Sequence, residues 1–143
     1  MSAVPSSRPA AVWALMALLL LQGICGIAGG VALVAAPDGR IMKMPVAQLD
    51  GSPFSSYLIP GLILLIVLGI LPLDVLAGLW LQPKVAWYGS LVVGCGLVLW
   101  IVVQVLYIPF SALQTIFGAV GLLIATVTLL PSVRDYCGVT LRR

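Results

Sequence analysis

The sequence predicts an all-α polytopic membrane protein, folded as a four-transmembrane-helix up-down-up-down bundle in one domain. Composition is the first reason. Of 143 residues, 62 % are hydrophobic and only 8 % charged, where a soluble domain carries about 25 % charged residues. Such a chain cannot cover a globular surface with polar groups, so lipid must be its main solvent. The second reason is spacing. Apolar residues gather in four runs, at about 10–36, 57–80, 85–108 and 112–130, each near the ~20 residues that cross a bilayer core. The third is that the prolines, turn dipeptides and charges fall between these runs.

The first run follows a short polar segment containing Pro5, Arg8 and Pro9. It is nearly twice the ~7–15 residues of a signal-peptide core. Ile24 stands before Cys25, where a lipoprotein signal wants a small residue. An uncleaved helix is therefore expected. Residues 37–56 form the one substantial loop. Asp38-Gly39 and Asp50-Gly51 are turn dipeptides flanking Ile41-Met42-Lys43-Met44-Pro45-Val46, which fits a small hairpin or a flat interfacial flap.

The second run opens through Tyr57-Leu58-Ile59-Pro60-Gly61, with Pro60 in the first turn, where a missing N–H costs nothing. Pro72 lies inside the run. It should kink the helix and free a carbonyl near residue 68. Leu81-Gln82-Pro83-Lys84 is a tight connection, and Trp87-Tyr88 reads as an aromatic belt at the start of the third run. Pro109 separates the third run from the fourth, Ser111 can cap the fourth, and Pro131 ends it before a polar, basic tail.

Orientation follows from basic residues beside the runs. Arg8, Lys84, Arg134, Arg142 and Arg143 fall on one side, with only Arg40 and Lys43 on the other. Both termini are thus expected in the cytoplasm and the 37–56 loop outside. The net charge of +3 is scattered near helix ends, which reads as topogenic charge rather than a nucleic-acid patch.

Lipid is as apolar as leucine, so membrane helices pack through small residues and side-chain hydrogen bonds. Such stripes run through Gln22, Cys25, Gly26, Gly29 and Leu33, through Ser90, Gly94, Leu97, Ile101 and Gln104, and through Gln114, Gly118, Gly121, Ala125 and Thr128. Gly26 and Gly30 also form a GxxxG pair. Gln104 and Gln114 lie at equal distances from Pro109, so a hydrogen bond between them is expected, as packing glue or as the polar lining of a bound molecule. Asp74 is the one acid within an apolar run, about 9 Å from the inner interface at ~1.5 Å per residue. It can pair with Lys84, Arg8 or Arg134, handle a proton or cation, or stay protonated and donate to the carbonyl freed by Pro72.

There is no His and no Glu, and Cys25, Cys95 and Cys137 form no CxxC, so a zinc knuckle or a vicinal redox pair is not available. Haem ligation lacks its usual imidazole, and no base stands beside a nucleophile. No catalytic, cofactor-binding or metal-binding residue is assigned, and no enzyme is expected. The candidate intramembrane residues are Gln22, Gly26, Gly30, Asp74, Gln104 and Gln114. Ser52, Pro53, Phe54 and Tyr57 are the candidate outer docking residues.

From Leu49-Asp50-Gly51-Ser52-Pro53-Phe54 through Tyr57-Leu58-Ile59-Pro60-Gly61, and again at Trp100-Ile101-Val102-Val103-Gln104 with Leu113-Gln114, the chain resembles a family of small, uncharacterised four-helix membrane proteins of bacteria. The resemblance covers about Leu49 to Leu123. It implies a bacterial inner-membrane protein and carries no activity. The function expected is a non-enzymatic accessory, structural or interaction role, by self-association or with a membrane-protein partner. The alternative is a small oligomeric transporter or channel using an Asp74/Gln-lined interior.

Overall fold

Runs of leucine, valine and alanine bounded by proline leave the backbone one way to satisfy its polar groups, the helix. The computed structural model, which describes residues 7–139, forms α1 (Ala10–Ala35) and α2 (Leu58–Leu81), then α3 (Pro83–Tyr107) and α4 (Ala112–Thr128), with a short α5 (Pro131–Tyr136). The helices α1, α2 and α3 are long and apolar enough to cross a membrane, which points to a membrane protein. The fourth run gives the shortest of the four, because the Leu129–Leu130 turn and Pro131 stop it after 17 residues. Arg142 and Arg143, counted above for orientation, lie outside the described residues, as does Pro5.

Each helix packs on its chain neighbour, and α4 returns to α1. The two ends of the molecule differ. The loop end carries residues 36–57 with the close of α3 and the start of α4. The termini end carries the start of α1, the close of α2 and α5.

Glycine sets the α1–α2 distance. A Cβ on Gly26 would sit 1.9 Å from the Leu68 carbonyl oxygen, and one on Gly30 would sit 2.6 Å from Leu65 Cα. The expected GxxxG face therefore lies directly on the backbone of α2. Across α3 and α4 the contact is reciprocal: a Cβ on Gly94 would meet Ala125 N at 2.8 Å, and one on Gly121 would meet the Gly94 oxygen at 3.1 Å. All the small and polar positions of the three predicted stripes are buried or half-buried.

The kink expected at Pro72 takes the form of one wide turn. Ile66–Ile70 is π-helical and feeds directly into Leu71–Leu81. Proline has no N–H for the carbonyl four residues back, and a π-turn is one way the ladder absorbs the mismatch.

Three expectations need correction. The loop forms no hairpin: among the described residues it holds no strand, only turns and one 3-10 turn at Val46–Leu49. Both Asp-Gly dipeptides do turn, with Gly39 and Gly51 at φ 78° and 88°. Of the expected aromatic pair Tyr88 is exposed, whereas Trp87 is not. It is buried, because its indole N–H donates to the Thr128 carbonyl at 2.8 Å, one of the last-turn oxygens that a helix leaves open. The tail is not merely polar, since Val133, Cys137 and Val139 join the core under the termini end. Arg8 fastens that end. Its guanidinium donates to the Tyr136 hydroxyl at 3.0 Å, that hydroxyl donates to the Leu79 carbonyl at 3.1 Å, and the guanidinium lies against the Trp13 and Trp80 rings.

Replacing Gly26 by Ala should lower stability in mild detergent by about 2 kcal/mol or more, because backbone stands in the way. Gly96→Ala, whose Cβ meets nothing within 4 Å, should leave stability unchanged or raise it. Thermal melting of the two variants beside the parent measures the difference. Equal melting of all three would show that the close approach does not constrain the fold.

Candidate functional site

The polar groups of the apolar runs separate into two sites on different faces. The first is built on Gln22. Its side chain reaches from α1 to α2 and donates Nε2–H to the Leu68 carbonyl at 3.0 Å. This is the carbonyl four residues before Pro72, the one that loses its helical donor. A protonated Asp74 is one of the partners the sequence allows for it, and the structure supplies Gln22 instead. Gly26 makes the bond reachable, since it lets α1 lie against Leu68. Gln22 is 1 % exposed, and its other amide atom, Oε1, has no hydrogen-bond partner among the described residues.

Gln22 also lines a cavity of about 190 Å³ between α1, α3 and α4. Gln104 and Gln114 line the same cavity, with Leu64, Trp100 and Phe117 and the loop residues Met42 and Met44 among its apolar walls. The expected Gln104–Gln114 bond does not form. Gln114 Oε1 accepts from the Ser111 backbone N–H at 3.0 Å, closing a capping box at the start of α4. An unsatisfied amide at its own helix terminus is closer and more rigidly placed than a side chain on another helix. The two glutamines therefore share a space without bonding across it.

The second site holds Asp74. None of the three expected cations pairs with it. Among the described residues the one ion pair is Arg40 with Asp38 at 3.9 Å, in the loop. Arg8 is engaged with Tyr136 and two tryptophans. Asp74 is exposed on the outer face of α2 and lines a groove of about 380 Å³ between α2 and α3. Small residues shape the groove: Ala77, Gly78, Ala86 and Gly89. It shares no lining residue with the Gln22 cavity.

The residues expected to dock a partner at the loop end behave differently from one another. Tyr57 is 1 % exposed. Its hydroxyl donates to the Pro45 carbonyl at 3.0 Å and its N–H to the Pro37 carbonyl at 2.9 Å, so it folds the loop back onto Leu33 and Leu49. Burial pushes its phenol pKa up. Ser52 is spent in a turn, its hydroxyl donating to the Leu49 carbonyl at 2.7 Å. Phe54 is half-buried on the same cluster, and Pro53 alone of the four is exposed. Tyr57 is thus a clasp and not a docking residue. Among the described residues no three of His, Cys, Asp and Glu come together as a metal-holding group.

Sequence reasoning missed the clasp and the Arg8–Tyr136 link. A lone tyrosine after a polar loop and a lone arginine before an apolar run carry no signal of their partners. Burial was the signal missing for Cys137, which caps α5 and joins the core.

Gln22→Leu should cost about 1–3 kcal/mol, because it strips the Leu68 carbonyl of its donor in an apolar setting. Pro72→Ala returns a helical N–H to the same carbonyl, so the double variant should lose about 1 kcal/mol less than the sum of the singles. Additive losses in a denaturation series would deny the link. Burial pushes the Cys137 thiol from 9.0 up to about 11. The neutral thiol favours the folded tail, so this contribution is complete below pH 9.0 and is lost as pH rises towards about 11. Alkylation of Cys137, followed by peptide mass spectrometry, should be slow at pH 8 and rise steeply across that window. Compared with protein-family models, curated proteins and solved structures, the chain matches none.

Proposed function

We propose that this chain is a non-enzymatic accessory subunit of a membrane assembly, and that the Asp74 groove receives a helix of its partner. The observation that carries this reading is an exposed carboxylate, without an ion pair among the described residues, in a groove lined by apolar side chains and four small residues. In a bilayer a carboxylate facing lipid is costly, and such groups pair with a cation or donor across a helix contact. Ala77, small and exposed beside Asp74, lets a second backbone come close, while Gly78 and Gly89 bring α2 and α3 together against Ala86 and Val75. Charge complementarity selects the occupant: a partner helix carrying Lys or Arg at that depth.

In this reading the protein sits in a bacterial inner membrane with both termini cytoplasmic and the 37–56 loop outside. The chain then crosses four times, with α4 at the ~17-residue lower limit for a crossing. The basic residues beside Asp74's end of the molecule support that orientation. A conduit that joins Asp74 to the glutamines gains no support, because the two groups line separate spaces. Transport therefore ranks second.

A photocrosslinking amino acid at Ala77, in the tagged full chain in its own host, tests the proposal. The expected product is a discrete heteromeric adduct, lost in Asp74→Leu and mapped to a membrane helix with Lys or Arg. Asp74→Leu should cut the adduct about tenfold or more without lowering the melting temperature. An adduct only with a second copy of this chain would overturn the accessory reading, as would an adduct indifferent to Asp74.

A further inference from the structure

Arg8 is held from three sides and still has donors to spare. Its Nε–H donates to the Tyr136 hydroxyl at 3.0 Å, and that hydroxyl is fixed in turn by donating to the Leu79 carbonyl at 3.1 Å. The guanidinium carbon lies 5.7 Å from the Trp13 ring centroid and 5.5 Å from that of Trp80. A guanidinium carries further N–H donors on Nη1 and Nη2. Neither Nη has an acceptor among the described residues, and neither is an enclosed atom, unlike the unpartnered Arg134 Nε at the same end. No carboxylate answers the charge. Among the described residues the one ion pair is in the 37–56 loop, and Asp135, beside Tyr136, makes none.

Depth selects what those donors meet. Arg8 stands just before α1, Trp13 lies in the first turn of that helix, and Trp80 is one residue from the end of α2. The two rings are 53 % and 46 % exposed. They therefore face outward at the limits of two helices apolar enough to cross a membrane. Tryptophans so placed sit at the headgroup level of a bilayer, where lipid phosphates supply the acceptor oxygens. A guanidinium matches a phosphate through paired, charge-assisted N–H···O bonds. One already locked by a hydrogen bond and two rings loses little freedom in making them. The half-exposed rings on either side give the glycerol and acyl chains an apolar bed.

We propose that Arg8, flanked by Trp13 and Trp80, binds one phospholipid through its phosphate diester where α1 and α2 meet at the termini end. The site shares no residue with the lining of the Asp74 groove and does not rest on the partner proposed there.

The test is native mass spectrometry of the full chain in mild detergent, titrated with dioleoylphosphatidylglycerol. Dioleoylglycerol, with the same chains and no phosphate, is titrated beside it, and inorganic phosphate serves as competitor. The expected result is one saturable phosphatidylglycerol per chain, with dioleoylglycerol at least about tenfold weaker and no displacement by inorganic phosphate. Arg8→Gln should weaken the phospholipid about tenfold, whereas Lys84→Gln, which removes an exposed cation at the same end, should not change it. Tyr136→Phe breaks the Arg8 bond and keeps the charge, so it should lower the melting temperature and retain most of the lipid. If Arg8→Gln does not fold, the double variant Trp13→Leu, Trp80→Leu serves, weakening the lipid about threefold or more. Equal binding of the two lipids overturns the proposal, and so does displacement by inorganic phosphate, which would mark a plain anion site. Equal loss in Lys84→Gln would mark diffuse charge and overturn it. Loss in Tyr136→Phe as complete as in Arg8→Gln would make the adduct a report on folding and overturn it too.

Discussion

The bond from Gln22 to the Leu68 carbonyl is the constraint on which the arrangement of helices depends. It couples two costs that an apolar environment makes severe. Pro72 takes a donor out of α2, and Gln22 brings an amide into the middle of α1; each alone would leave a polar group without a partner where water is scarce. Together they cancel, provided the helices come close enough. Gly26 meets that condition by leaving the face of α1 bare at Leu68. Proline, glutamine and glycine, from positions 46 residues apart in the bonded pair, thus fix one register between α1 and α2. Lipid-facing leucines could not do this, because sliding one apolar surface along another changes little.

The remaining contacts extend that register towards the two ends. At the termini end Arg8, Tyr136 and the Leu79 carbonyl form a chain of hydrogen bonds, and Trp87 binds the Thr128 carbonyl. Both use carbonyls from the last turns of helices, which have no donor of their own. At the loop end Tyr57 holds the loop against Leu33 and Leu49. Apart from the Arg8–Tyr136 link, side-chain donors here meet backbone acceptors, and charge pairing plays little part in joining the helices. The single ion pair among the described residues is in the exposed loop, where such a bond is worth little.

Helix limits were legible because proline and turn residues stand at each of them, and burial of the small-residue stripes was legible from spacing alone. The carbonyl at Leu68 was legible too, since a proline names the acceptor it deprives. The donor was not: nothing in a sequence says that a glutamine on another helix lies at the same height. Gln114 shows the opposite failure. Its spacing from Pro109 pointed across to Gln104, but an orphan N–H three residues away is always in reach, and local capping prevails over a longer-range bond of similar worth. Trp87 and Tyr57 failed for one shared reason. An aromatic with a polar tip is drawn inward wherever a carbonyl is open to it, and where carbonyls stay open depends on how helices end in space.

Asp74 gains its meaning from what this network leaves over. Every other polar side chain within α1 to α4 that is buried contributes to a helix bond or faces the Gln22 cavity: Ser90 and Thr128 return their hydroxyls to their own helices, Gln114 caps, and Gln22 bridges. Asp74 alone among the acids sits in an apolar helix, and it points away from all of them into a groove shaped by alanine and glycine. A carboxylate is an expensive residue to keep on such a face when asparagine or leucine would fold as well. Its outward position therefore argues that the stability of this chain is not what the carboxylate serves. The helices are joined by backbone acceptors and small residues, and the Asp74 carboxylate takes no part in joining them.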